Sequence, residues 1–90
     1  MSYIVYILHF SDNCLYIGQT NNLSERIKEH TAKNAKAAKF SKDHGDFVLV
    51  YQEMFASQAE AMRREKQLKG WTRAKKEALI KKDYKLLKDL

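Results

Sequence analysis

Leu15-Tyr16-Ile17-Gly18-Gln19-Thr20-Asn21-Asn22-Leu23-Ser24-Glu25-Arg26-Ile27-Lys28-Glu29-His30 reads as a strand that runs directly into a helix. Tyr16 and Ile17 are strand formers, and Gly18 interrupts them where a side chain would crowd a neighbour. Asn22 is a good N-cap, and Glu25, three positions on, can complete a capping box. A helix from about Leu23 to Ala32 places Leu23, Arg26, Ile27 and His30 on one face, at i, i+3, i+4 and i+7. Two of these are apolar and two are not. An arginine and a histidine one turn apart, beside a buried stripe, are unusual as packing and well placed to hold an anion.

Upstream, Tyr3-Ile4-Val5-Tyr6-Ile7-Leu8-His9-Phe10 is apolar or aromatic at nearly every position. Without alternation, it predicts a central strand covered on both faces. Ser11-Asp12-Asn13 is turn chemistry, so the two strands form a hairpin. A two-residue loop at Asp12-Asn13 would put Tyr6 and Tyr16 on opposite faces. A three-residue loop with Asn13 left-handed instead pairs Phe10 with Cys14, Leu8 with Tyr16 and Tyr6 with Gly18. We expect the second register, which sets both phenols on one face with a gap at Gly18 beside Tyr6.

Downstream, Lys33 to Gly45 reads as a polar, basic loop carrying Lys36, Lys39 and Lys42 around Phe40. Asp46 to Phe55 is a third strand. Ser57 and Glu60 form a second capping box that starts a helix, and Gly70 ends it. Thr72 caps a third helix running to about Lys82, and Asp83 caps a short last one. The order β-β-α-β-α-α excludes a simple parallel α/β sheet. It predicts an α+β fold, a small three-stranded antiparallel sheet flanked by helices. On the second helix, Glu65 falls within the apolar stripe of Ala61, Met62 and Leu68. An acid facing the sheet costs several kcal/mol unless it is paired or metal-bound. A Glu65–Arg26 ion pair, or a carboxylate reaching water from the edge of the stripe, is the structural alternative.

The 90 residues suit one domain, and no apolar run approaches the ~20 residues of a membrane span. No leader is expected from the first residues. Cys14 is the lone cysteine, which excludes an internal disulfide and a cysteine-based zinc site. An intracellular, cytoplasmic protein is the simplest expectation. The net charge is +6, and its distribution says more than its size. Residues 61–82 carry nine Lys or Arg against two Glu, and residues 31–45 four Lys against one Asp. A clustered basic footprint suits phosphate backbones, although a solvated lysine face has the same composition. Lys36, Lys39, Lys42, Lys69, Arg73, Lys75 and Lys76 are the candidate phosphate contacts. His9 at a strand end and His44 in a loop lack partners at metal-ligand spacing. Cys14 reads as a small, half-buried residue, and Trp71 as a packing anchor between helices rather than a stacking platform.

Ile4-Val5-Tyr6, then Tyr16-Ile17-Gly18, then Arg26 and His30 on a helix, then Glu65 on a later helix, together resemble the GIY-YIG endonuclease superfamily. The segment Ala61 to Ile80, centred on Glu65-Lys66-Gln67-Leu68-Lys69-Gly70-Trp71, is similar to the small stand-alone YhbQ-like members. Larger relatives include the amino-terminal nuclease domain of the UvrC excision-repair protein, homing endonucleases and some restriction enzymes. The resemblance covers the whole chain. It implies divalent-metal-dependent hydrolysis of DNA phosphodiester bonds in repair or recombination, with RNA as the other polymer of the same chemistry.

The resemblance also implies roles. Tyr6 would act as general base on water, and Tyr16 would position the water or the phosphate. Arg26 would bind the scissile phosphate and stabilise transition-state charge. His30 would hydrogen-bond near Tyr6 and help take its proton, and Glu65 would hold one Mg²⁺ or Mn²⁺. A phenol of pKa about 10 is a poor base at neutral pH, so positive charge from Arg26 and the ion is expected to lower it. The chain departs from the pattern in three ways. Ile4 stands where the family name has Gly. Only nine residues separate Tyr6 from Tyr16, and no asparagine follows Glu65. With no appended DNA-binding domain, target choice would rest on the domain itself or on a targeting protein. Two other readings fit the same residues: a nucleic-acid-binding module with the nuclease fold but little activity, and a protein-interaction domain whose basic face is incidental.

Overall fold

The computed structural model describes residues 2–32 and 45–89. Strand β1 (Tyr3–Phe10) turns back into β2 (Leu15–Thr20), which leads into α1 (Leu23–Ala32). Strand β3 (Phe47–Phe55) follows, then helices α2 (Gln58–Lys69), α3 (Arg73–Ile80) and α4 (Tyr84–Asp89). The sheet order is β2-β1-β3 with both pairings antiparallel, so the most apolar strand is the central one, as its unbroken pattern predicts.

The hairpin turns at Asn13, whose φ of 75° is left-handed. Phe10 N–H donates to Cys14 O and Asn13 N–H to Phe10 O, which is the three-residue loop. Tyr6 therefore sits opposite Gly18 and Leu8 opposite Tyr16. The turn is held from outside. Arg73 donates to the Asn13 carbonyl and, at 3.0 Å, to Asn13 Oδ1. His9 Nε2 lies 2.9 Å from the same Oδ1.

A strand buried on both faces builds two cores, and β1 does so. Val5 and Ile7 pack with Ile17, Ala61, Leu68 and Leu79 beneath α2 to α4. Tyr6, Leu8 and Phe10 pack with Ile4, Tyr16, Leu23, Ile27 and Phe47 beneath α1. Each fully buried aliphatic side chain contributes roughly 1.5–3 kcal/mol relative to exposure.

The helix boundaries follow their caps. Asn22 Oδ1 accepts from Glu25 N–H, Ser57 Oγ from Glu60 N–H and Thr72 Oγ1 from Lys75 N–H. Asp83 Oδ1 accepts from Leu86 N–H at the start of α4.

Two boundary details differ from the sequence expectation. Strand β3 begins at Phe47 rather than Asp46. Helix α3 ends at Ile80, because Lys82 turns left-handed with φ 58°. Gly70 ends α2 as the sequence predicts, in a right-handed conformation, φ −83°, with its own N–H on Gln67 O and the Trp71 N–H on Leu68 O. The apolar stripe of α2 is also narrower than predicted. Ala61 and Leu68 are buried, whereas Met62 is 53% exposed. Lys36, Lys39, Lys42 and His44 lie outside the described residues.

Candidate active site

Gly18 decides where the site forms. A Cβ at this position would lie 2.6 Å from Tyr6 Oη and 2.7 Å from Tyr6 Cζ. The phenol of Tyr6 thus leans across its strand partner toward the open edge of β2, using space that any other residue would fill. Tyr16 sits on the same face, two positions before Gly18, with its ring centroid 6.2 Å from that of Tyr6. The register predicted from the hairpin loop is what brings the two phenols together.

Helix α1 supplies the next two groups from one face. His30 is fully buried, with Nε2 3.3 Å from Tyr6 Oη. Its ring is edge-on to Tyr6, Tyr16 and Phe47, with centroids 6.2, 5.1 and 5.8 Å away. Burial, and then the charge of Arg26, hold the imidazole below its ordinary pKa, while Glu29 opposes them. At neutral pH the ring is therefore uncharged. The imidazole tautomer sets the direction of the hydrogen bond it shares with the Tyr6 hydroxyl: with its hydrogen on Nδ1, Nε2 accepts. Arg26, one turn before, has a side chain 35% exposed, with Nε 3.7 Å from Glu29 Oε2.

Glu65 comes from α2, on the opposite side of the sheet. The helix that carries it packs on both β1 and β2. Its carboxylate is 21% exposed and Oε2 lies 3.0 Å from Lys69 Nζ. The partner is therefore Lys69 on its own helix rather than Arg26. The charge of Glu65 reaches the phenol of Tyr6 and helps raise its pKa.

The state of Tyr6 departs from the expectation that positive charge lowers it. Burial raises the phenol far above a free tyrosine. The neighbouring Tyr16 pushes the same way, and so does Glu65, while Arg26 alone pulls it down. A buried oxygen resists becoming an anion more strongly than one half-exposed guanidinium can favour it. In this arrangement Tyr6 keeps its proton throughout the neutral range.

The donor set bears on a metal. Among the described residues no group of three His, Cys, Asp or Glu side chains converges. Glu65 nevertheless already holds a cation, the Lys69 ammonium, on one oxygen. A single carboxylate completed by water and a substrate phosphate is a common way for Mg²⁺ to bind. The residues present fit that mode.

The remaining sequence candidates divide. Lys69 joins the site through Glu65. Lys75 Nζ lies 6.0 Å from the ring of Trp71, which packs against the aliphatic core and carries Arg64 at 5.2 Å. Arg73 spends its guanidinium on Asn13 and Glu77, so the structure gives it a turn-holding part. Lys76 is half-buried on α3. Sequence reading passed over Glu29, whose i,i+3 spacing from Arg26 was the available signal, and the Lys69 partner of Glu65, signalled by i,i+4 spacing. Phe47, edge-on to His30, had no local signal at all.

A phenol pair over a glycine gap, an imidazole and a guanidinium from one helix, and a carboxylate from another define a nuclease-type domain. Residues 2–78 match the GIY-YIG catalytic domain, and the chain belongs to this family of nucleases. Within the family its relatives are UPF0213 proteins. One from Staphylococcus haemolyticus is 49% identical over 76 residues, covering 84% of this chain and 90% of the relative. One from Staphylococcus aureus is 40% identical over 80 residues, covering 89% and 95%. The solution NMR structure of a UPF0213 protein from Bacillus halodurans matches with a TM-score of 0.58 at 40% identity, over 90% of this chain and 84% of that one. Among the described residues, no helix is long and apolar enough to cross a membrane.

Proposed function

We propose that the chain is a divalent-metal-dependent endonuclease that hydrolyses DNA phosphodiester bonds during repair or recombination. The observation that carries this reading is the buried contact between Tyr6 Oη and His30 Nε2, 3.3 Å long, over Gly18 and under the influence of the Arg26 charge. Arg26 binds two oxygens of the scissile phosphate through its planar fork and offsets charge as it builds. Tyr16 orients the attacking water beside Tyr6. The water gives its proton to Tyr6 Oη as the Tyr6 proton passes to His30 Nε2, so the imidazole is the base and the phenol the conduit. This resolves the raised pKa of Tyr6, because no free phenolate forms. The water oxygen bonds to phosphorus, the bond to the leaving oxygen breaks, and that oxygen takes a proton from solvent. A Mg²⁺ or Mn²⁺ on Glu65 supplies Lewis-acid stabilisation of the leaving oxygen when bound.

The raised phenol also supports a second reading, a nucleic-acid-binding module with the nuclease fold and little activity. Cleavage assays on single-stranded, nicked and branched DNA with Mg²⁺ or Mn²⁺, against EDTA, separate the two. We expect metal-dependent cutting that Glu65→Ala and Tyr6→Phe abolish. Equal cutting by all three proteins would sink the catalytic reading. Salt-sensitive binding without cutting would leave the second. Parallel RNA substrates identify the polymer.

A further inference from the structure

We propose that Lys69 is a tethered counter-ion of Glu65 that competes with the divalent ion and then turns to the nucleic-acid backbone. The proposal rests on the reading of Glu65 as the metal ligand. Three observations carry it. Lys69 Nζ lies 3.0 Å from Glu65 Oε2, on the carboxylate that would ligate the metal. The two residues are four apart on α2, so the helix keeps the ammonium within reach whatever else binds. Lys69 is 57% exposed against 21% for Glu65, so the cation is on the solvent side of the pair and can swing away while the carboxylate stays.

A cation of higher charge on the same carboxylate repels the ammonium and takes its place. The displaced Lys69 is then a free positive charge beside a bound metal, which is where the phosphates that share the metal must run. A second pair of the same kind sits on α1. Arg26 is paired with Glu29 on its own helix, at 3.7 Å, so each charged group of the site has an opposite charge within one turn. Binding of metal and phosphate exchanges those local partners for external ones.

The test is Mn²⁺ binding by electron paramagnetic resonance, without nucleic acid, for the unmodified chain, Lys69→Met, Lys69→Arg and Glu65→Gln. Lys69→Met is expected to bind Mn²⁺ roughly two- to fivefold more tightly, a modest gain because half-exposed ion pairs are weak competitors. Lys69→Arg is expected to bind no more tightly than the unmodified chain, and Glu65→Gln to lose the site. A second arm measures anisotropy of a labelled nicked duplex with saturating Mn²⁺ in a Tyr6→Phe background. There Lys69→Met should bind more weakly, with a salt slope smaller by about one. Unchanged or weaker Mn²⁺ binding by Lys69→Met overturns the competition while leaving Glu65 as ligand. An unchanged salt slope overturns the hand-over to phosphate. If Glu65→Gln binds Mn²⁺ like the unmodified chain, the metal reading fails and the proposal with it.

Discussion

The two faces of β1 are built to different ends. Beneath α2 to α4 lie Val5, Ile7, Ile17, Ala61, Leu68 and Leu79, all aliphatic. The polar groups at that margin are mutually satisfied. Arg64 Nε and Nη2 donate to the two oxygens of Glu53 at 2.9 and 3.2 Å, Tyr51 Oη donates to Glu53 Oε2 at 2.7 Å, and Arg64 Nη1 donates to Gln67 Oε1 at 2.9 Å. Beneath the single helix α1 the core is Tyr6, Leu8 and Phe10, with a fully buried histidine against it. There the Tyr6 ring fills the space over Gly18, and its hydroxyl meets the imidazole in the interior. One face is closed by aliphatic packing, and the other buries a hydrogen-bonded tyrosine–histidine pair. A sheet of three strands can do both because its middle strand has two sides.

Substitutions should respect this division, and each measures how sharp it is. The largest expected effect is on the α1 face. Tyr6→Phe keeps the ring and removes the hydroxyl that the proposed mechanism uses as conduit, so cleavage should fall by roughly 10²–10⁴-fold, while stability falls by no more than the about 1–3 kcal/mol of a lost buried hydrogen bond. A larger loss of stability would mean that the hydroxyl is structural.

Leu68→Ala, on the other face, should lower stability by about 2–5 kcal/mol in chemical denaturation while the remaining folded fraction cuts normally. Gly18→Ala comes next. Its Cβ would stand 2.6 Å from Tyr6 Oη, so the ring must move off His30. Activity should drop at least tenfold, and the paired mutant Gly18→Ala/Tyr6→Phe should be no worse than Tyr6→Phe alone.

The smallest effects are in pH. His30 has a lowered folded pKa, so its unfolded form binds protons first. Stability should fall as pH drops below about 6.5, and in the proposed mechanism cleavage should lose its base further down, as pH falls through the lowered folded value. Burial raises Glu53, but hydrogen bonds from Arg64 and Tyr51 outweigh it, and the net shift is downward. Its contribution is present above about pH 4.5 and is lost as pH falls through the folded value. Melting curves of His30→Gln and Glu53→Gln should therefore flatten two different stretches of the acid range, and flattening of the same stretch by both would erase the distinction between the faces.

Much of this was legible in the residue order. The unbroken apolar run of Tyr3 to Phe10 announced a central strand. The three turn residues, with an asparagine able to go left-handed, set a register that placed Tyr6 beside Gly18. Asn22, Ser57, Thr72 and Asp83 each marked a helix start, because a cap is a contact between residues three apart. Met62 and Glu65 were harder. A helical wheel says which residues share a side, but not how wide a strip the sheet can cover, and that strip proved too narrow for Met62. Arg73 looked like one more basic residue until the fold set it against Asn13, 60 positions away.

The sequence by itself determined the strand order, the hairpin register and the residue types of the site, because those follow from periodicity, turn geometry and caps acting over a few residues. Only the tertiary structure decided that the charge of Glu65 is felt at Tyr6, with Lys69 on the carboxylate. Only it decided that Tyr6 is buried deeply enough to hold its proton. Both depend on how far each group sits from water and from charges remote in the chain, and no local pattern encodes that distance.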